Sequence, residues 1–108
     1  MLKSTDYGII KELVIKEIPA AVGLILFGSH SRGEARSDSD IDLMVLLEKE
    51  LNWRERHKIL NRIYRGSVDK GYNIDFVFKL KEKYESDKNL PTLSRVIARE
   101  GNVIWMKN

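Results

Sequence analysis

Cysteine is missing from this 108-residue sequence. Disulfides and thiolate metal sites are therefore excluded, and a reducing cytoplasm is the expected compartment. Proline occurs twice and glycine seven times, with no clustering into a linker, a repeat or a low-complexity tract. No apolar run approaches the ~20 residues that span a bilayer. The opening MLKSTDYGII lacks the long apolar core of a signal peptide, so a membrane is not an expected partner. What remains is an ordinary globular composition, 43% hydrophobic and 32% charged, long enough for one small domain over residues 1–108 and one modest core. The formal charge is +3 and the pI about 9.2. This basicity suits a phosphate-bearing ligand and is too slight to argue for nucleic acid as the partner or acceptor.

Apolar spacing predicts a helix over Thr5–Ile18, with Ile9, Ile10, Leu13, Val14 and Ile18 on one face and Pro19 ending it. Val22–Phe27 and Ile41–Leu47 are short apolar runs bounded by turn residues and read as strands. Ser29–Ala35 fits a short helix between them. A second amphipathic helix is predicted over Asn52–Arg65, with Trp53, His57, Leu60 and Tyr64 on its stripe and Ile59 and Ile63 beside them. Gly66 and Gly71 bracket the way into a third strand, Tyr72–Leu80, in which Ile74, Phe76 and Phe78 share one face and Asp75 and Val77 the other. Leu93–Glu100 reads as a last helix and Asn102–Met106 as a short edge strand. The expected fold is α/β (α+β): a small sheet of three to four strands, helices mainly on one face, and the other face open to carry the acidic residues.

The chemistry concentrates in residues 28–42, GSHSRGEARSDSDID. A strand that runs through Gly28-Ser29 into a helix presents free N–H groups and a helix dipole to an anion. Gly28 permits close approach of phosphate to backbone, and the Ser29 hydroxyl adds a donor. Taken alone, the pair reads sooner as a plain helix cap. The spacing Gly28-x-x-x-x-Gly33 is followed by Glu34-Ala35, so the lysine and hydroxyl of a P-loop are missing. Asp40 and Asp42, two apart at the mouth of a strand, project from one face. Asp75 on another strand completes an all-oxygen set suited to two Mg²⁺ ions. The plain alternative is a solvated acidic turn. Against it, Asp75 interrupts an apolar strand, where a carboxylate is expected to be poorly solvated and to need a partner. Asp38 has the same parity but lies further from the apolar run. His30 could approach a phosphate from its loop, whereas His57 reads as part of a packed helix face. The two tryptophans read as core or interface.

Gly28-Ser29, Arg32-Gly33, Ser39-Asp40-Ile41-Asp42-Leu43, the strand carrying Asp75, and Ala98–Trp105 together resemble the minimal nucleotidyltransferases (MNT family) of the DNA polymerase beta superfamily. The resemblance implies the nucleotidyltransferase palm-like fold and transfer of a nucleoside monophosphate, usually AMP from Mg-ATP, to an acceptor hydroxyl. In its terms Asp40 and Asp42 bind both metals. Asp75 binds the metal nearer the acceptor and helps deprotonate it, and Gly28 and Ser29 hold the β- and γ-phosphates. Arg32 either steadies a phosphate or braces its loop.

Larger relatives carry a helical domain for the acceptor. Here the acceptor is expected to be held by a second copy of the chain or by another protein, which can itself be the acceptor. Many family members are antitoxins paired with a HEPN-type ribonuclease toxin and attach AMP to a toxin tyrosine, which makes that pairing the leading expectation. A small-molecule (aminoglycoside-like) adenylyltransferase and a non-catalytic antitoxin acting by contact remain as alternatives.

Overall fold

The computed structural model describes residues 2–28, 30, 33 and 40–107. The elements run α1 (Ser4–Glu17), β1 (Ala21–Phe27), β2 (Ile41–Leu47), α2 (Trp53–Asp69), β3 (Ile74–Leu80), α3 (Lys81–Asp87), α4 (Leu93–Glu100) and β4 (Asn102–Met106). The four strands form one mixed sheet in the order β3-β2-β1-β4. β1 is antiparallel to β2 and β4, while β2 and β3 are parallel, joined by α2 as the crossover. The α/β fold expected from the sequence is therefore the one observed.

Helices cover both faces of this sheet. Ile41, Leu43, Val45 and Leu47 of β2 lie in one core with Ile10, Leu13 and Val14 of α1 and Ile63 of α2. Met44 and Leu46, on the opposite parity, lie in a second core with Tyr84 of α3 and Ile97 of α4. The sequence expectation of helices mainly on one face is thus corrected. β2 is buried on both sides, which is why its apolar run is continuous after Asp42.

Two helix boundaries also differ. α2 starts where Asn52 caps it, with Asn52 Oδ1 accepting from the Glu55 N–H at 2.9 Å. It continues four residues past the expected stop at Arg65, through Gly66, to Asp69. Gly66 is no breaker: a Cβ there would lie 2.8 Å from Leu13 Cδ1, so the glycine lets α1 and α2 approach. Its neighbour Ser67 is buried and satisfies its hydroxyl by donating to the Ile63 carbonyl at 2.7 Å. The turn into β3 falls at Gly71, whose φ of 85° favours glycine. The buried line of α2 is Ile63 and Ser67, with Ile59 and Leu60 partly covered. Trp53 is 73% exposed and His57 is exposed, contrary to the packed stripe expected for them. Helix α3, KEKYESD, was not legible because Tyr84 is its only buried residue, so no apolar period marks it.

Gly101 closes α4 against the sheet. A Cβ there would meet the Ile97 carbonyl oxygen at 2.5 Å, Ile25 Cγ2 at 2.9 Å and the Leu26 carbonyl oxygen at 3.0 Å. Two of these three neighbours are backbone and cannot rotate away. Gly101→Ala is expected to lose about 1–3 kcal/mol of unfolding free energy, read as a lowered midpoint in urea at unchanged slope.

Candidate functional site

The site is built where β1 ends and where β2 and β3 begin. β1 stops at Phe27, and Gly28 turns the chain with φ 76°, in the left-handed region. A Cβ on Gly28 would collide with the Asp42 carboxylate. Glycine is thus required twice over, once for the turn and once for the space that Asp42 fills.

Register then sets the carboxylates. Asp42 pairs with Phe27 across the antiparallel ladder and with Asp75 across the parallel one. Adjacent strands lie ~4.8 Å apart, so Asp42 and Asp75 are side-by-side neighbours on one face. One step earlier, the Ile41 N–H donates to the Asn73 carbonyl at 2.9 Å. Beside that bond the Asn73 Nδ2–H donates to Asp40 Oδ1 at 2.5 Å. Asp40 and Asp42 share a face with Asn73 and Asp75, while Ile41 and Ile74 point the other way into the core.

Exposure differs from the expectation. Asp42 is half-buried, but Asp40 and Asp75 are exposed. Asp75 is solvated because the second core reaches only to Met44 and Val77, short of this end of the edge strand β3. Its carboxylate is in water and does not need a partner to be tolerated, contrary to the expectation from its apolar neighbours. The face expected to be open is in fact covered by α3 and α4 as far as Met44, and only its amino-terminal end carries the acidic residues.

The start of β3 is anchored from behind. The Tyr72 hydroxyl, immediately before Asn73, donates to Asp6 Oδ1 of α1 at 2.6 Å. This bond, with some burial, pushes the Tyr72 phenol up to about 12. The same bond, with the Lys3 N–H that caps α1, holds the Asp6 carboxyl below the usual carboxylate range. Neither Tyr72 nor Asn73 stood out in the sequence. An asparagine paired in register with an aspartate is visible only once the parallel alignment is known.

Asp40, Asp42, Asp75 and Asn73 offer carboxylate and amide oxygens at this end, donors suited by type to a hard cation such as Mg²⁺ and not to a soft one. Among the described residues no three His, Cys, Asp or Glu side chains stand close enough together to hold a metal ion. Asp42 and Asp75 are neighbours, and Asp40 is turned along the sheet to Asn73. Ser29, Arg32, Asp38 and all of the expected helix Ser29–Ala35 except His30 and Gly33 lie outside the described residues. The carboxyl-terminal ends of β2 and β3 border a separate cavity of about 540 Å³, lined by Leu47, Arg56, Phe78 and Lys83 among others. None of the three acidic residues lines it.

The sequence matches the profile of the family described as "Polymerase beta, Nucleotidyltransferase" over residues 9–108. No curated protein matches it. Among solved structures, a toxin–antitoxin complex with AMP-PNP is similar with a TM-score of 0.62 and 22% identity, over 95% of this chain and 75% of that one. A Sulfolobus solfataricus protein assigned as a nucleotidyltransferase gives 0.61 and 21%, over 98% and 90%. A complex of the tri-AMPylated Shewanella oneidensis HEPN toxin with its MNT antitoxin gives 0.60 and 20%, over 98% and 74%.

Two outcomes test this geometry. Gly28→Ala is expected to destabilise the fold by about 1–3 kcal/mol, the left-handed φ and the displaced Asp42 adding; chemical denaturation reads the loss. Tyr72→Phe removes the hydroxyl bond to Asp6. The Tyr72 phenol titrates higher in the folded chain than its ordinary 10.0, so its contribution is complete below pH 10 and lost as pH rises to about 12. The depressed Asp6 carboxyl works in the opposite sense, its contribution fading as pH falls through its lowered range. Urea midpoints across pH should therefore show the wild-type advantage over Tyr72→Phe at neutral pH and its disappearance at both extremes.

Proposed function

Because the chain belongs to the polymerase beta nucleotidyltransferase family, we propose that it moves AMP from ATP to a hydroxyl of a partner protein. The partner is a HEPN-type toxin, the acceptor one of its tyrosines, and the chain its antitoxin, acting in the cytoplasm. The observation that carries the reading is the in-register placement of Asp42 beside Asp75, with Asp40 two residues ahead, against a glycine turn that leaves room for Asp42. Two of the similar structures support the choice of acceptor, one being a toxin–antitoxin complex with a non-hydrolysable ATP analogue and the other an AMPylated toxin beside its antitoxin.

In this reading Asp40 and Asp42 hold two magnesium ions and Asp75 holds the one nearer the acceptor. When bound, magnesium supplies positive charge at the oxygens between which the phosphoryl group passes. The chain's own groups do the rest. The Gly28 turn, with Ser29 and Arg32, receives the β- and γ-phosphates. The half-buried Asp42 sits between Phe27 and Asp75 on the sheet. The exposed Asp75 faces solvent, on the side from which a protein acceptor must arrive, and takes the proton of the attacking hydroxyl. The hydroxyl oxygen bonds to the α-phosphorus, the bond from that phosphorus to the bridging oxygen breaks, and pyrophosphate leaves.

The test is intact-mass spectrometry of the toxin after incubation with the chain and Mg-ATP. The toxin is expected to gain one or more AMP groups. Asp42→Ala and Asp75→Ala should each slow the gain by about 100-fold or more, and Asp38→Ala should leave it within about twofold of wild type. A stable complex without mass gain would establish inhibition by contact instead. Neither complex nor gain would redirect the search to small hydroxylated acceptors.

A further inference from the structure

We propose that the cavity at the carboxyl-terminal ends of β2 and β3 is a binding site for a small organic anion, one carboxylate on an apolar body. It lies roughly 16 Å along β2 from Asp42 and does not depend on the function proposed above. The topology opens it. β2 and β3 are parallel neighbours, so Leu47 and Leu80 end side by side. From these adjacent ends the chain leaves in opposite directions. After β2 it passes to α2, whose Ile63 lies in the first core, and after β3 to α3, whose Tyr84 lies in the second. Two connections that part to opposite faces leave a crevice outside the strand ends, the usual place for a ligand in an open α/β sheet. Its volume of about 540 Å³ suits a small molecule.

The lining has an apolar floor and a charged mouth. Leu47, Leu51, Phe78 and Leu80 belong to the first core or pack against it, and they also border the cavity. At the mouth the Arg56 guanidinium lies over the Phe78 ring, 5.5 Å from its centroid. The ring holds the guanidinium by its face, and the planar fork of N–H donors has no acceptor among the described residues. A fork so held can meet a carboxylate with two parallel bonds. Lys79 and Lys83 add positive charge from β3 and α3. Lys79 is paired with Asp87 at 2.9 Å, whereas Lys83 has no ion-pair partner among the described residues. Glu50 is the one carboxylate among the described lining residues. Glu55, next to Arg56 in the chain, does not border the cavity and accepts from Asn52 Nδ2 at 2.7 Å. Arg56 and Lys83 against Glu50 leave an excess of one positive charge, which favours a singly charged anion.

Arg56 and Glu50 are exposed, so Arg56→Gln and Glu50→Gln should both keep the wild-type Tm. The experiment is an NMR titration of the backbone amides with phenylacetate. Phenylethanol serves as its neutral counterpart, and inorganic phosphate as an anion without an apolar body. Phenylacetate is expected to shift the amides of Leu47, Arg56 and Phe78 to saturation, with phenylethanol and phosphate each binding at least about 10-fold more weakly. Arg56→Gln should weaken phenylacetate about 10-fold, because the charged fork is lost. Glu50→Gln should tighten it, because the opposing charge is lost. The absence of saturable shifts at these amides overturns the inference, as does unchanged affinity in Arg56→Gln. Phenylethanol binding as tightly as phenylacetate overturns the recognition of charge, and phosphate binding as tightly overturns the recognition of an apolar body; either result removes the proposed ligand class.

Discussion

Everything at the acidic end of this molecule depends on the parallel pairing of β2 with β3. The ladder runs from Ile41↔Ile74 to Leu47↔Leu80 without a shift. Because side chains alternate, one register decides two things at once. It sends Ile41, Leu43, Ile74 and Phe76 into the core beneath α1 and α2, and it lines up Asp42 with Asp75 on the other face. A slip of one residue would exchange the two sets, burying carboxylates and exposing the core. Hydrophobic burial and site assembly are therefore enforced by the same constraint, and neither can be changed without the other.

The opposite neighbour of β2 contributes by making room. β1 delivers Phe27 beside Asp42 and then turns at Gly28, where a side chain would strike that carboxylate. The glycine expected to admit phosphate also admits the half-buried aspartate. The edge position of β3 supplies the remaining element, because it leaves Asp75 open to solvent at the rim of the sheet. A protein-sized acceptor can reach a group at a rim but not one in a closed pocket. Among the described residues the helices on the same face stop short of this end, so the sheet is stabilised on both sides over most of its length.

Periodicity read the long apolar elements well and the weakly marked ones poorly. α1, β1, β2, α4 and β4 lie within a residue or so of their expected spans, since each carries an apolar pattern of its own. Gly66 was misread because a glycine in a helix looks like a stop when the helix it packs against is unknown; Leu13 of α1 explains it. Trp53 and His57 were misplaced because the apolar stripe of α2 follows its far half, toward Ile63 and Ser67, and the first turns stand clear of the core. Asp75 reads as starved of water because it interrupts an apolar run, whereas it is exposed on an edge strand, at the end of the sheet that no described helix covers.

The sequence by itself determined the composition class, the apolar strands and helices, and the identity of the acidic and glycine residues, because these are local properties of residue type and spacing. The Gly-Ser turn and the Asp-x-Asp pair are close in the chain, so their relation is legible without coordinates. Only the tertiary structure decided which strands adjoin, that helices cover both faces, that Asp75 faces water, and that Asn73 stands beside Asp40. Those are relations between residues distant in the chain, 33 positions apart for Asp40 and Asn73. They are fixed by sheet order and register, which depend on the packing of the whole core and leave no mark in any short stretch of sequence.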